Sequence, residues 1–286
     1  VYEMHEKLGG MMRYGIPEYR YPKAVLDQEI RNILDMGVGH RLGCKIGRDI
    51  TLKDLRKQHD AIVVAIGGWK GVDLGLPNED ADGVQAGIEF LWLVAHGDLK
   101  RLRGKVIVIG GGNTAIDCAR SALRLGASDV MVAYRRTVDQ MPAEEEEITE
   151  LLEEGITIQE LTDIDEILVD DRGCVQGIRA RLQELGSFDS SGRRRPQPRG
   201  GEQGEVVLEC EHLLTAISQK IELDFAPELE RHRNGTLKID PYTLRTSDPQ
   251  VWGSGDVLSL ADLPVAIGHG EEVAVSIERS EERRVG

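Results

Sequence analysis

A stretch near the middle of the chain places the strongest constraint on its fold, because it combines two short apolar runs with a glycine-rich turn. Residues 105–109 and 129–134 are β-branched runs typical of buried parallel strands. Between them, Gly110, Gly112 and Ala115 follow the spacing G-x-G-x-x-A. Two parallel strands need a crossover connection, usually a helix packed on the sheet. The stretch therefore predicts a parallel α/β unit.

Each small residue of this turn has a stereochemical role. Gly110 permits the tight turn, Gly112 lets a pyrophosphate approach the backbone, and Ala115 leaves room for the helix to pack on the strand. The helix N-terminus would face the phosphates with unpaired N–H groups and a partial positive charge. The apolar residues of the helix share one face, as packing on a sheet requires: Ala115, Ile116, Ala119, Ala122 and Leu123. The region therefore predicts a dinucleotide-binding site.

The residues that follow the second strand indicate which dinucleotide is bound. A carboxylate at this place accepts hydrogen bonds from the adenosine ribose of NAD. Arg135 and Arg136 stand there instead. Arginine offers a planar, bidentate donor to a 2′-phosphate, so the pair favours NADP. The alternative interpretation is that both arginines are solvated residues at a strand end.

Composition limits the functions open to the chain. With 286 residues, 40% of them hydrophobic, it can bury one large core or two ordinary ones, and we expect two domains. A net charge of −15 argues against binding to nucleic acid, which requires clustered Lys and Arg. The one basic cluster, 193–195, lies among Gly, Ser and Pro and predicts a solvated loop. No stretch approaches the roughly 20 apolar residues of a membrane span, and no signal peptide is visible, so we expect no membrane partner.

The cysteines and histidines indicate neither a metal site nor a catalytic side chain. The four cysteines lack the C-x-x-C spacing of zinc, iron–sulfur or redox sites, and we expect them to be reduced in a cytoplasmic protein. They are Cys44, Cys118, Cys174 and Cys210. The seven histidines form no metal set or triad along the sequence.

Both ends of the chain are expected to be cut. Val1-Tyr2-Glu3 looks like the end of the second strand of a dinucleotide fold, so its first strand and phosphate loop would lie upstream. Residues 279–286 read RSEERRVG, which matches the in-frame translation of a widely used sequencing adapter. We therefore expect native sequence to end near 277 or 278, with 279–286 as a non-native tail.

Several further stretches of the sequence are short motifs that carry a family resemblance. They are Leu8-Gly9-Gly10, Gly15-Ile16-Pro17 with Arg20, IGRDIT at 46–51, DAIVVAIG at 60–67, LPNED at 76–80, Met141-Pro142-Ala143 and Gly255-Asp256-Val257. Together with the dinucleotide region, they make the chain resemble the NADPH-dependent glutamate synthase small (β) subunit family. Relatives of that family include the flavin–NADPH half of dihydropyrimidine dehydrogenase and ferredoxin:NADP reductases. The resemblance runs from residue 1 to about residue 277.

The resemblance implies an α/β fold with two Rossmann-like dinucleotide-binding domains in a glutathione-reductase-like arrangement. The NADPH domain, residues 98–234, would be inserted into the FAD domain, residues 1–97 and 235–278. The apolar run 61–66, which two glycines close, predicts a buried strand and supports this division, as does the new glycine turn after residue 109.

The sequence also predicts local elements in the second half of the NADPH domain. A helical segment is expected over 148–152, opened by the acidic run 144–147, whose negative charge suits a helix N-terminus. A third parallel strand is expected over 156–159, and a β-hairpin around 170–173. Residues 186–204 hold five Gly and two Pro and predict a mobile loop.

The resemblance implies which residues contact the cofactors. Those expected at FAD are Glu3 at the ribose, Gly10, Met11, Arg20 and Ile46 at the adenine and pyrophosphate, and Gly255, Asp256, Leu263, Pro264 and Val265 at the ribityl chain and isoalloxazine. Those expected at NADPH are Gly110, Gly111, Gly112, Asn113 and Thr114 at the pyrophosphate, Arg135 and Arg136 at the 2′-phosphate, and Ala216, Ile217 and Ser218 at the nicotinamide. Glu3 could instead be a surface acid. Ser218 replaces the glycine usual in the family, which places a Cβ and a hydroxyl where close backbone approach is expected.

The implied function is that of an NADPH-oxidising FAD oxidoreductase subunit. Hydride would pass from NADPH to FAD, and electrons would then pass to iron–sulfur clusters in the missing N-terminal region or in a partner. The cofactors carry this reactivity, so no catalytic side chain is required. The expected partner is a larger synthase or dehydrogenase subunit or ferredoxin. The alternatives are a dihydropyrimidine dehydrogenase or ferredoxin:NADP reductase subunit and, in a different class, a flavin-free nucleotide-binding module.

Overall fold

The computed structural model describes residues 1–189, 192–200 and 204–285, with residues 282–285 described by their backbone alone. The α-helices of this part are α1 (Gly10–Tyr14), α2 (Lys23–Leu34), α3 (Leu52–Gln58), α4 (Gly87–His96), α5 (Asn113–Arg124), α6 (Glu145–Glu153) and α7 (Leu263–Val285). The strands are β1 (Ile62–Val64), β2 (Lys70–Gly71), β3 (Val84–Ala86), β4 (Lys105–Ile109), β5 (Asp129–Ala133), β6 (Thr157–Gln159), β7 (Thr162–Val169), β8 (Val175–Phe188), β9 (Arg194–Pro198), β10 (Glu205–Glu209), β11 (His212–Thr215), β12 (Gln219–Lys220) and β13 (Val251–Gly253). Short 3₁₀ helices lie at Val138–Gln140 and Gly255–Val257.

The chain divides into two compact units, each made of separate stretches of sequence. Unit 1 comprises Val1–Met11, Lys23–Lys70 and Gln219–Gly286, and unit 2 comprises Met12–Pro22 and Gly71–Ser218.

The long stretch of unit 2 begins and ends earlier than the 98–234 expected from the sequence. Its early start follows from β3, which pairs in parallel with β11 in the unit 2 sheet. The helix α4 that follows β3 contributes Phe90 and Leu91 to the core of the same unit. Residues 71–97 therefore pack with the dinucleotide region.

Unit 2 is built on a five-stranded parallel sheet with the strand order β3-β11-β4-β5-β6. Side chains of β4 alternate between the two faces of this sheet. Val106 and Val108 pack with Ile116 of α5 in one core. Ile107 and Ile109 pack in a second core with residues of the antiparallel strands β7 and β8. Both faces of the central strand are therefore covered, as is usual for parallel sheets.

The structure confirms several local predictions in unit 2. The strand β6 pairs in parallel with β5, so the third parallel strand lies where the sequence predicted it. The helix α6 covers the segment 148–152 and begins directly after the N-cap residue Glu144. The hairpin turn between β7 and β8 is closed by Asp170, whose side chain accepts hydrogen bonds from the backbone N–H groups of Arg172 and Cys174, both at 2.9 Å.

The prediction of a loop over 186–204 is wrong for residues 186–188 and 194–198, which lie in strands, and the loop predicted at 193–195 is wrong for residues 194 and 195. β8 continues to Phe188 and pairs with β9 as an antiparallel hairpin in which Leu185 lies opposite Pro196. Within the described residues β9 pairs with β8 alone, so it is an edge strand. Proline is tolerated on an edge strand because no second neighbouring strand needs its missing N–H group. Residues 190–191 and 201–203 of the predicted loop lie outside the described part.

Unit 1 has a smaller sheet, in which β1 and β13 pair in parallel. Leu223 and Val251 lie in its main core, and Trp252 packs with Val273 of α7 in a second one. The apolar run 61–66 forms a strand only over Ile62–Val64, and Val63 at its centre is 43% exposed. In the described part of unit 1, no strand is joined to a helix as directly as β4 is joined to α5.

Candidate coenzyme-binding site

The glycine turn between β4 and α5 is shaped by close packing. Gly110 has a φ of +145°, and a Cβ on it would lie 2.3 Å from the carbonyl oxygen of Ala216. A Cβ on Gly111 would lie 2.4 Å from the ring of Tyr134. Real Cβ atoms do not approach other atoms this closely. Glycine is therefore required at both positions by the packing of unit 2 itself.

The start of α5 leaves its backbone donors available to a ligand. Gly112 is the N-cap residue and makes no side-chain capping hydrogen bond. A Cβ on Gly112 would have the Cγ atom of Pro142, at 3.9 Å, as its nearest neighbour, so the space beside the turn is open. Asn113 and Thr114 are half-buried in the first turn, and Asn113 Oδ1 accepts a hydrogen bond from the N–H of Glu144 at 3.1 Å. An open backbone at a positive helix end fits a pyrophosphate.

The residues predicted at the nicotinamide end follow β11. The N–H of Ala216 donates a hydrogen bond to the carbonyl of Ile109 at 2.7 Å, which holds this segment across the glycine turn. Ile217 and Ser218 are exposed, and the Ser218 carbonyl accepts a hydrogen bond from the N–H of Val72 at 3.2 Å. Ser218 does not have a left-handed φ. The replacement of glycine at this position therefore introduces no backbone strain.

The two arginines predicted at the 2′-phosphate have different surroundings. Arg135 is exposed, and its charge opposes the effect of burial, which raises the pKa of the nearby Asp163 carboxyl. Arg136 is buried, with its Nη2 atom 2.7 Å from Oδ2 of Asp189. Its Nε donates a second hydrogen bond to the carbonyl of Arg194 at 2.8 Å. Although the two arginines are adjacent in sequence, Arg135 is therefore exposed to solvent and Arg136 is bound to the β8–β9 hairpin.

Asp189 and Arg194, the partners of Arg136, were not predicted from the sequence. They lie 53 and 58 residues after it, in a region whose Gly and Pro content indicated a loop. No periodic pattern connects positions so far apart. The hairpin pairing of β8 with β9 brings both partners to Arg136.

Arg20, predicted to line FAD, belongs to unit 2 and forms ion pairs there. Its guanidinium nitrogens lie 2.7 Å from Oδ2 of Asp117 on α5 and 2.7 Å from Oε1 of Glu147 on α6. Burial raises the pKa of Asp117 to about 6, although the Arg20 charge opposes this rise. Beside them, the Arg124 guanidinium lies 3.9 Å from the centroid of the Tyr19 ring. These contacts fasten residues 12–22 to the two helices, a role that was not predicted from the sequence.

One group of predicted flavin residues lies in the N-terminal stretches of unit 1. The Glu3 carboxylate is half-buried and accepts a hydrogen bond from the backbone N–H of His5 at 2.8 Å. Gly10 opens α1 with a φ of +49°, and Met11 follows it, half-buried. Ile46 is half-buried and forms a β-bridge with a residue four positions later.

A second group of predicted flavin residues lies where β13 leads towards α7. Gly255 has a φ of +72°, and its N–H donates a hydrogen bond to Nδ1 of His269 at 3.3 Å. Asp256 is half-buried, and burial raises the pKa of its carboxyl. The first residues of α7 are exposed: Leu263, Pro264 and Val265. A left-handed glycine, a carboxylate and exposed apolar side chains fit the ribityl and ring portions of a flavin.

Other kinds of site find no support in the described residues. No group of three or more His, Cys, Asp or Glu side chains in this part of the chain could hold a metal ion. All four cysteines are free thiols, and Cys118 is buried beside the Gly87 carbonyl. Within the same ranges, every helix is too short or too polar to cross a membrane.

Sequence comparison connects this geometry with known proteins. A family model for pyridine nucleotide-disulphide oxidoreductases matches residues 21–270. The NADP(+)-dependent formate dehydrogenase subunit beta of Moorella thermoacetica is 38% identical over 98% of the chain. The glutamate synthase [NADPH] small chain of Escherichia coli is 32% identical over 97% of it. The chain spans only 40% of the Moorella protein and 62% of the Escherichia coli protein.

Solved structures share the fold at low sequence identity. FprA of Mycobacterium tuberculosis in complex with NADPH matches with a TM-score of 0.81 at 19% identity, covering 99% of this chain and 78% of FprA. Thioredoxin reductase of T. acidophilum matches with a TM-score of 0.70 at 18% identity, covering 98% of this chain and 89% of the reductase. These likenesses show the fold and confirm the predicted fold class. The chain therefore belongs to the pyridine nucleotide-disulphide oxidoreductase family, whose members are flavoprotein oxidoreductases that use FAD and NAD(P)H.

Proposed function

We propose that this chain is the NADPH-oxidising flavoprotein part of a larger oxidoreductase, with unit 2 binding NADPH and unit 1 binding FAD. Bound FAD would supply the hydride-accepting and electron-carrying chemistry. The observation that carries the proposal is the glycine turn of unit 2. It combines an open space beside Gly112, uncapped donors at the start of α5 and an exposed arginine after β5.

The residues of unit 2 would bind and orient the coenzyme. The backbone of Gly111 and Gly112 and the first turn of α5 would hold the pyrophosphate, and Arg135 would bind the 2′-phosphate. The segment from Ala216 to Ser218 would guide the nicotinamide, because Ala216 is hydrogen-bonded to the end of β4 across the turn. In unit 1, Asp256 and the first turn of α7 would hold the ribityl chain and the ring of FAD. No side chain is required to move a proton.

The electron acceptor would be a partner protein. The names of three relatives contain NADP(H) and describe a subunit or a chain: the two compared above and the NADPH-Fe(3+) oxidoreductase subunit beta of Geobacter sulfurreducens, 39% identical over 77% of this chain. The coenzyme NADP(H) is what these names share, whereas the other substrates that they name differ. We therefore propose a larger synthase or dehydrogenase subunit, or ferredoxin, as the partner, and a cytoplasmic location in keeping with four free thiols. The role of a glutamate synthase small chain is one form of this proposal.

Anaerobic reduction of bound flavin tests the proposed function. The full chain would be titrated with FAD, followed by the change in flavin fluorescence, and then mixed with NADPH or with NADH at equal concentration. We expect the flavin that binds to lose its visible absorbance faster with NADPH than with NADH. Failure to bind FAD, with NADPH still bound, would support the flavin-free nucleotide-binding module instead. Flavin that binds but is reduced by neither coenzyme would contradict the proposal.

A further inference from the structure

Arg136 is held too firmly in the protein to act as a simple ligand for phosphate. Its side chain is 5% exposed and is paired with Asp189, whose side chain is 17% exposed. Its Nε is occupied by the Arg194 carbonyl. A buried arginine paired with a carboxylate is nearly neutral as a unit and would attract a phosphate dianion only weakly. Arg135, by contrast, is exposed and has no hydrogen bond or ion pair among the described residues.

The β8–β9 hairpin is also joined to the coenzyme turn by a second route. The N–H of Arg194 donates a hydrogen bond to Oε1 of Gln140 at 3.0 Å. The Gln140 carbonyl accepts a hydrogen bond from the Tyr134 hydroxyl at 2.9 Å. The Tyr134 ring packs against Gly111, where no Cβ would fit. Contacts therefore run without interruption from the hairpin to the glycine turn.

Asp189 is the point at which the hairpin is fastened. Besides Arg136, its carboxylate accepts a hydrogen bond from the N–H of Arg193 at 3.2 Å. The Arg194 guanidinium donates to the carbonyls of Leu185 and Gly186 across the hairpin, at 2.7 and 3.0 Å. The hairpin is thus internally tied, and the ion pair of Arg136 with Asp189 links it to the end of β5.

We propose that Arg136 and Asp189 are positioning residues for coenzyme selectivity. Their ion pair fixes the β8–β9 hairpin to the segment 134–140, and this arrangement sets the position from which Arg135 contacts the 2′-phosphate. The inference rests on the proposed NADPH function. It assigns different tasks to the two adjacent arginines and gives Asp189, an acidic residue, a role in recognising an anion.

An alternative arrangement, in which Arg136 itself binds the 2′-phosphate, predicts the opposite effect of the substitution Asp189→Asn. If Arg136 left the hairpin to bind the 2′-phosphate, Asp189 would compete with the phosphate for its guanidinium. Asp189→Asn would then strengthen binding of the phosphate. If the ion pair positions the site, Asp189→Asn weakens it, because the hairpin is less firmly held.

The test compares two ligands that differ only in the 2′-phosphate, adenosine 2′,5′-bisphosphate and adenosine 5′-monophosphate. Isothermal titration calorimetry on the full chain gives the ratio of their dissociation constants. We expect the wild-type chain to prefer the bisphosphate, and Asp189→Asn to reduce that preference about three- to tenfold, as for the loss of a charge-assisted hydrogen bond acting indirectly. General destabilisation would weaken both ligands together and leave the ratio unchanged.

Two further variants make the result specific. Asp165→Asn is the matched control, because it is the same substitution in another ion pair of 2.7 Å on the β7–β8 hairpin, with Arg181; it should leave the ratio unchanged. Arg136→Lys keeps the positive charge but loses the planar fork that serves Asp189 and the Arg194 carbonyl together, so it should reduce the ratio as Asp189→Asn does.

The possible outcomes separate the inference from the function on which it rests. A wild-type chain that does not distinguish the two ligands would overturn the NADPH function and the inference with it. A wild-type preference that Asp189→Asn leaves unchanged or increases would overturn the inference alone. A preference that Arg136→Lys retains in full would also overturn the inference, because it would show that the planar guanidinium of Arg136 is not needed to position the hairpin.

Discussion

The two units of this chain differ in how completely they cover their own apolar residues. In unit 2, Val108 of the central strand and Ile116 of α5 are fully buried. In unit 1, Val63 of β1 is 43% exposed and Ile267 of α7 is 70% exposed. The coenzyme turn of unit 2 is therefore fixed by packing within its own unit. The proposed flavin residues at the start of α7 lie instead beside apolar side chains that contact solvent.

The largest difference is expected between two glycines, one in each proposed site. Gly110→Ala would force a Cβ against the Ala216 carbonyl at a φ of +145°, whereas a Cβ on Gly255 would meet Ala266 only at an ordinary 3.4 Å. We expect Gly110→Ala to reduce the free energy of unfolding by about 4 kcal/mol, from steric overlap plus backbone strain. Gly255→Ala should cost about 1 kcal/mol, from left-handed strain alone. Urea denaturation followed by circular dichroism measures both changes. Equal losses of unfolding free energy in the two variants would show that the two glycines are equally constrained.

Two isoleucines on helices test the same contrast in the hydrophobic cores. Ile116→Ala should reduce the free energy of unfolding by about 3 kcal/mol, because it leaves a cavity at a side chain with no exposed surface. Ile267→Ala should change it by less than about 0.5 kcal/mol, since the side chain already contacts water. The same denaturation experiment measures both variants. A loss at Ile267 as large as that at Ile116 would show that the surface of α7 is covered in solution.

Two aspartates should give pH dependences of opposite sign. Burial raises the pKa of Asp117 in unit 2 from 3.8 to about 6, so its stabilising contribution is full below 3.8 and is lost as the pH rises through 6. Hydrogen bonding to Arg48 lowers the pKa of Asp49 in unit 1, so its contribution is lost as the pH falls.

Denaturation between pH 4 and pH 7, with the matching asparagine variants as references, measures these contributions. Relative to Asp117→Asn, the wild-type chain should gain about 2 kcal/mol as the pH falls across this range. Relative to Asp49→Asn, it should change little across this range and lose stability only when the scan is extended below 3.8, where the lowered pKa of the Asp49 carboxyl takes effect. A wild-type curve parallel to that of Asp117→Asn would mean that the carboxyl of Asp117 titrates normally.

The sequence was sufficient to predict the part of unit 2 that local rules control. Strand, glycine turn, helix and second strand follow from β-branched runs, the spacing of Gly110 and Gly112, and one apolar helix face, and all of these lie where predicted. The Asp170 hairpin and α6 were predictable for the same reason, since turn and helix-start signals act over a few residues. The family resemblance added the fold class, which no local pattern supplies.

The remaining features depend on contacts between distant residues. Arg136 meets Asp189 only because β8 extends past Gly186 and pairs with β9, although the glycine and proline content of that region indicated a loop. Arg20 meets Asp117 across 97 positions of sequence. The long stretch of unit 2 starts at residue 71 and not at the predicted residue 98, because β3 pairs with β11. Propensity and periodicity carry no information about such pairings.

Coenzyme discrimination by Arg135 tests the central claim, that unit 2 is an NADPH site, most directly. Equilibrium binding of NADPH and of NADH would be measured for the wild-type chain and for Arg135→Ala, a change at an exposed residue that should leave the fold intact. We predict that the wild-type chain binds NADPH between about 10-fold and 100-fold more tightly than NADH, as one charge-assisted contact provides, and that Arg135→Ala loses most of this difference while its affinity for NADH is unchanged. Equal affinities in the wild-type chain, or a variant in which both affinities fall together, would contradict the account.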